Sequence, residues 1–265
     1  MTFLQAILLG IIQGLTEFLP VSSSGHLVMA RALLGIQTEP LVMEVVLHLG
    51  TLLAVLLVFY KDVVALVRHP LGKTMRLLVI ATIPAVVLTL LLNNIIEEAF
   101  GGRFLGIGFL ITAILLCVAE QKKVRSPRKY RDMDNFDALA MGGMQAVAMF
   151  PGVSRSGSTL VGGLFCGLDR NLAVRFSFLM SIPAILGSLV FKFKDMIETG
   201  PGDVSAVAII FSVLTAAFVG LLSIRFMLKL VRRHKLYGFA IYVACAGVFV
   251  LICQFCGVLF PPLFG

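Results

Sequence analysis

The sequence predicts an all-α polytopic membrane protein, an inverted-topology repeat of six transmembrane helices plus two re-entrant helix hairpins. Three observations predict it. Apolar residues come in membrane-length blocks, one half of the chain resembles the other at a fixed offset, and the basic residues fall on one side of the topology that follows.

Of 265 residues, 59% are hydrophobic and 14% charged, and the mean hydropathy is +1.01. A soluble core of this size has no room for so much apolar surface, so lipid must be the solvent for most of it. The apolar blocks are 41–59, 77–92, 104–119, 176–191, 204–224 and 236–260, close to the roughly 20 residues that span hydrocarbon. The N-terminus lacks a basic region and a cleavage site, and Gln13 and Glu17 interrupt its apolar run, so it reads as mature protein rather than a signal peptide. Cys117, Cys166, Cys245, Cys253 and Cys256 read as buried small hydrophobes; the CxxC spacing of the last two lacks a second ligand pair. The net charge of +8 resides in short loops between apolar blocks, which points to topology and not to nucleic acid.

At an offset of 132 residues, Gly10, Gln13, Phe18, Val21, Ser22, Ser24 and Gly25 align with Gly142, Gln145, Phe150, Val153, Ser154, Ser156 and Gly157. Seven identities in 16 positions compare with about one expected by chance. The chain is therefore a duplication: a first repeat 1–120 (hairpin 1–36 plus three spans), a basic loop 121–135, and a second repeat 136–265 (hairpin 136–168 plus three spans). The second hairpin's arms, Ala138 to Phe150 and Ser156 to Leu168, have 13 residues each and as helix reach only about 20 Å, too short to cross. A non-crossing hairpin plus three spans inverts the second copy, so that the two tips meet near the midplane. Charge tests this count. One side then receives 17 of the 22 Lys and Arg, in the loops around 61–76, 122–131, 170–175 and 225–235, and the other receives Arg31, Arg103, Lys192 and Lys194, with Arg155 at a tip. An eight-span count divides them almost evenly. The positive-inside rule places the basic loop in the cytoplasm and both termini outside.

The hairpin segments read QGLTEFLPVSSSGH from Gln13 and QAVAMFPGVSRSGST from Gln145. Gln13 and Glu17 share a helix face, Pro20 ends that helix, and Ser22, Ser23 and Ser24 form a tip that opens another. In the second copy Pro151 and Gly152 break the chain before Ser154, Arg155, Ser156 and Thr159. New helix N-termini, hydroxyls and a guanidinium make an anion cradle suited to phosphate. At the same offset Glu17 faces Met149, Ser23 faces Arg155 and His26 faces Ser158: one copy keeps acid–base groups and the other supplies the cation. The bland alternatives are an interfacial acid for Glu17, a headgroup contact for Arg155 and helix caps for the serines and His26; occurring jointly in a repeated segment, these residues read as one catalytic site. Glu44 opens the first long span, where an interfacial acid and a site ligand are both open readings, and His48 reads as core packing. No P-loop or nucleophile elbow is present.

At these residues the sequence resembles the bacitracin-resistance family of undecaprenyl-diphosphate phosphatases, marked by (E/Q)xxxE and PGxSRSxxT motifs. Gln13 and Glu17 match the first; Pro151, Gly152, Ser154, Arg155, Ser156 and Thr159 match the second. LPVSSSGH and the EVVLHLG stretch from Glu44 to Gly50 also look like the family. The resemblance implies a phosphoric anhydride hydrolase of the bacterial inner membrane, which regenerates undecaprenyl phosphate for peptidoglycan synthesis. It also implies a divalent cation, Mg2+ or Ca2+. Gln13 stands where some members have glutamate, which puts the metal on Glu17 with Glu44. The expected catalytic residues are Glu17, Ser23, His26 and Arg155, with Gln13, Ser22, Ser24, Ser154, Ser156 and Thr159 binding substrate. Ser23, His26 and water are all open as nucleophile, with Ser23 favoured because it occupies the position that became Arg155. A homodimer is allowed but not required. A transporter or flippase of the lipid carrier is the alternative from another class, since inverted repeats with broken helices also serve alternating access.

Overall fold

The structure, a computed structural model, describes residues 1–36, 41–122, 126–199 and 204–263. The expectations for Lys123 and Arg125, and for the side chains of Lys192 and Lys194, lie outside the described residues. The described residues form eleven α-helices: α1 (Phe3–Thr16), α2 (Ser23–Leu33), α3 (Leu41–Val58), α4 (Tyr60–Arg68), α5 (Lys73–Ala99), α6 (Leu105–Gln121), α7 (Asn135–Val147), α8 (Arg155–Phe165), α9 (Arg170–Thr199), α10 (Ala206–Arg233) and α11 (Tyr237–Phe255).

Each apolar block becomes a helix. Four are long and apolar enough to cross a bilayer, in Lys73–Leu92, Arg170–Val190, Ala206–Arg233 and Tyr237–Phe255, and α3 with α4 makes a fifth if the bent pair counts as one span. α6, at 17 residues, falls just short of that length. Outward stripes confirm the solvent: on α10, Val207, Ile210, Leu214, Phe218 and Leu222 are exposed at helical spacing, an arrangement stable only against hydrocarbon. For the same reason the cysteines are not buried as expected. Cys117, Cys166 and Cys253 are half-buried, and Cys245 and Cys256 exposed, all as free thiols; on lipid-facing helices a small apolar side chain does not need a protein core.

Two blocks differ from their expected bounds. Residues 41–59 end in a bend of 83° at Phe59, after which α4 sets off in a new direction and its Asp62 pairs with Arg175 of α9 at 3.1 Å. The block 77–92 ends at a non-helical Leu92 (φ −125°, ψ 22°), but helix resumes to Ala99.

The short helices come in two pairs, α1–α2 and α7–α8, of 14, 11, 13 and 11 residues. The arms of the second pair begin and end earlier than expected. Asp134 accepts the Phe136 and Asp137 amides while Asp137 accepts the Asp134 amide, a capping box that starts α7 at Asn135. Gly167, at φ +76°, stops α8. Its counterpart Gly35 has φ +66°, and both close with the same two bonds: Ile36 N–H to Arg31 O and Gly35 N–H to Ala32 O, Leu168 N–H to Gly163 O and Gly167 N–H to Leu164 O. This is a left-handed C-terminal motif repeated at the duplication offset. The pairs dock crosswise, α1 against α10 and α7 against α5, so each hairpin is held by the other half of the chain.

Candidate active site

The two tips touch. A Cβ on Gly25 would lie 3.0 Å from Gly152 Cα, and one on Gly157 would lie 3.2 Å from Pro20 Cβ, so glycine is what lets the two turns approach reciprocally. Ser156 of one tip donates to the Leu19 carbonyl of the other at 2.8 Å.

Each tip opens a helix in the same way. Ser22 Oγ accepts the Gly25 amide at 3.3 Å, and Ser154 Oγ accepts the Gly157 amide at 3.1 Å. Ser22 also meets Ser24, and Ser154 meets Ser156, at 3.3 Å between hydroxyls. Thr159 is buried, donating to the Arg155 carbonyl at 2.8 Å and meeting Ser177 Oγ at 2.6 Å. Thus the structure brings Ser22, Ser24, Ser154, Ser156 and Thr159 to the tips, with their hydroxyls in bonds that hold the turns.

Across that contact Arg155 forms an ion pair with Glu17 through Nη2 and Oε1, while its Nη1 is buried without a partner. The other carboxylate oxygen of Glu17 accepts Ser23 Oγ–H at 2.5 Å and Gln13 Nε2–H at 3.1 Å. Glu17 is 4% exposed. A buried carboxylate with three donors from both hairpins is a built arrangement, since an uncompensated charge here would cost several kcal/mol, on the order of 3–5.

The sequence profile of the Bacitracin resistance protein BacA family matches residues 6–249. The chain belongs to this family. Among its relatives, an undecaprenyl-diphosphatase 4 of Bacillus thuringiensis subsp. konkukian is 42% identical, covering 96% of this chain and 98% of its own. Undecaprenyl-diphosphatases of Alkaliphilus metalliredigens and Carboxydothermus hydrogenoformans are both 39% identical, over 95% and 97% of this chain and 98% and 99% of theirs. Family membership therefore rests on the whole chain and not on the two motifs alone.

Four residues that join this family site were not singled out from sequence. Thr112 of α6 donates to the Gly152 carbonyl and accepts the Ser154 amide, both at 2.9 Å, stitching the second tip. Thr51 of α3 meets Gln13 at 3.5 Å, Ser177 of α9 meets Thr159, and Tyr242 of α11 meets His26. Each is a hydroxyl in a largely apolar helix, and for the serine and threonines bonding to the preceding turn is the ordinary expectation, so no signal separated them. His48, expected as core packing, is half-buried and donates from Nδ1 to the Glu44 carbonyl at 2.8 Å.

His26 is buried beside the tip. Its Nδ1 is 2.7 Å from the Ser22 carbonyl and its Nε2 is 2.8 Å from the Tyr242 hydroxyl. As for a cation, no group of three or more His, Cys, Asp or Glu gathers among the described residues. Glu44 is half-buried two turns before Thr51 on α3, about 10 Å along the axis. What does fit is Gln13 Oε1, a buried oxygen without a partner beside Glu17. One carboxylate and one amide oxygen suit a hard cation completed by substrate phosphate, which is how Mg2+ is usually held.

Beside the tips runs an apolar groove of about 460 Å³ between α1, α10 and α11, lined by Leu15, Leu19, Val21, Phe226, Phe239 and Tyr242, with Lys235 at the α10–α11 connection.

Proposed function

We propose that this chain hydrolyses undecaprenyl diphosphate to undecaprenyl phosphate and phosphate in the bacterial plasma membrane, recycling the carrier for cell-wall synthesis. The observation that carries this is the meeting of Glu17, Ser23 and Arg155 at two facing helix N-termini inside an apolar body. A prenyl tail fits the groove while its diphosphate reaches the tips. The relatives carry phosphatase names, which disfavours the flippase alternative.

The residues suggest the following course. The terminal phosphate takes Arg155 from Glu17 and meets the partnerless Nη1 and the first-turn amides of α2 and α8. Ser23 Oγ then attacks phosphorus and gives its proton to Glu17. The anhydride P–O bond breaks, and undecaprenyl phosphate leaves. Water hydrolyses the phosphoserine, with His26 moving the proton, and phosphate departs. Positioning and charge neutralisation are most of what phosphoryl transfer requires. A divalent cation held by Glu17 and Gln13 would neutralise phosphate charge. Ser23 is preferred to His26 as nucleophile because its Oγ bonds to a base. Phosphate release from undecaprenyl diphosphate by purified protein in detergent, with divalent cation and with EDTA, tests the reading. No release with cation present would leave the transport alternative.

In this reading the repeats are inverted, with α3, α5, α6, α9, α10 and α11 crossing and α1–α2 and α7–α8 re-entrant, the loop 121–135 cytoplasmic and both termini outside. The short arms, touching tips and crosswise docking support it. In a cysteine-free background, thiols placed at Ser126 and at Ser205, beyond residues 192–203, should label from opposite sides of the membrane. Labelling from one side would overturn the inversion.

A further inference from the structure

Tyr242 lies 216 residues from His26 in sequence and has no part in the course above, yet its hydroxyl and ring both engage the histidine. A carbonyl oxygen can only accept, so the 2.7 Å contact with Ser22 O puts the hydrogen of His26 on Nδ1. Nε2 keeps its lone pair in the neutral ring, and the hydroxyl 2.8 Å away must donate to it. The Tyr242 ring stacks on the imidazole at 5.6 Å between centroids and 14° between planes, and Phe109 abuts it edge-on at 5.2 Å and 77°. Two hydrogen bonds and two aromatic contacts leave the imidazole one tautomer and one orientation. Without the hydroxyl, Nε2 would be a buried acceptor with no partner, and the ring would gain by turning. Tyr242 also forms part of the wall of the apolar groove, so this clamp stands where a lipid chain would reach the tips.

We propose that Tyr242 is a positioning residue for His26, fixing the orientation of the ring and the direction of its Nε2 lone pair from the wall of the lipid groove. The proposal rests on the reading that His26 moves a proton in turnover.

The tautomer is read without substrate, by two-bond 1H–15N correlation on 15N-histidine-labelled protein in detergent, and turnover is read separately with undecaprenyl diphosphate. In unmutated protein His26 should show a single Nδ1–H form; an Nε2–H form overturns the proposal before any variant is made. Tyr242→Phe keeps the stacked ring, and unchanged signals from His48, His69 and His234 will report an intact fold. In it the His26 Nε2 resonance should move as its hydrogen bond is lost while the Nδ1–H form is kept, and kcat should fall about tenfold, as expected for a misaligned proton carrier, with KM held within about twofold. Unmoved His26 signals, or moved signals with unchanged kcat, would each overturn it. A wild-type protein that releases no phosphate sinks the phosphatase reading instead, an outcome the substrate-free spectra distinguish.

Discussion

The two hairpins share a backbone and differ in chemistry. Both helix starts are capped by serine three residues before a bonded glycine amide, both second arms stop at a left-handed glycine, and the reciprocal tip contacts use glycine on each side. Where they differ, they differ in what crosses the gap: Glu17 and Ser23 from the first, Arg155 from the second. Gln13 bonds Glu17 and Thr51, while both amide atoms of its counterpart Gln145 are buried without partners. The scaffold was retained because caps and terminators are backbone requirements indifferent to chemistry. The side chains at the contact were free to become complementary.

The largest expected effect tests whether the first hairpin supplies the nucleophile. Ser23→Ala should lower turnover by about 10³-fold or more, whereas loss of a mere hydrogen-bond donor costs about ten- to a hundredfold. A variant retaining a tenth of the activity, with His26→Ala inactive and a phosphohistidine trapped, reassigns the nucleophile to His26. Arg155→Ala, on the other side of the gap, should cost about 10²- to 10³-fold. Arg155→Lys should recover little of it, because an ammonium lacks the planar fork; near-normal turnover in either variant removes the second hairpin from the chemistry.

A smaller effect concerns the turns. The left-handed residue of the second tip is Gly152 (φ +86°), but that of the first is Ser22 (φ +71°, ψ 100°), an uncommon conformation for a serine that stores about 1–3 kcal/mol. Ser22→Gly should therefore leave detergent thermal stability unchanged or raised by about 1 kcal/mol despite the weaker cap. Gly152→Ala should lower it by about 3 kcal/mol, since its Cβ would meet Leu105 O at 2.5 Å. Equal melting shifts would mean that the turns are equivalent. The smallest effect is at the start of α7, where the Asp137 and Phe136 amides hold the exposed Asp134 carboxyl below the usual aspartate range. A depressed carboxyl stabilises the fold above its unfolded value, and that stability is lost as pH falls through the folded value. Protein with Asp134→Asn should thus melt slightly lower than wild type at neutral pH, show a flatter pH profile, and converge on wild type in acid below the ordinary aspartate value.

How much of this was legible follows from what each residue contrasts with. Glu17, Ser23 and Arg155 stood out because charge and clustered hydroxyls have no use in hydrocarbon unless they meet something. The six apolar blocks were legible by length. The bend at Phe59 was not, because apolar sequence runs straight through it. Nor could Ser22 and Ser154 be divided between capping and ligand binding, since the two roles require the same residue at the same helix end. Tyr242 and Thr112 were invisible for the opposite reason to Arg155: a hydroxyl in an apolar helix is ordinary until its partner from another helix is known.

The pair that Glu17 makes with Arg155 gives the resting site an occupant of its own. In the proposed course the terminal phosphate takes this place from the carboxylate, so a ligand would compete with it. A lipid diphosphate enters that competition with the burial of its chain behind it, at about 0.8 kcal/mol per buried methylene. Free inorganic phosphate has no such support. Once the tail-bearing product has gone, the carboxylate is positioned to displace the remaining phosphate from the guanidinium, and the enzyme should show little product inhibition by phosphate.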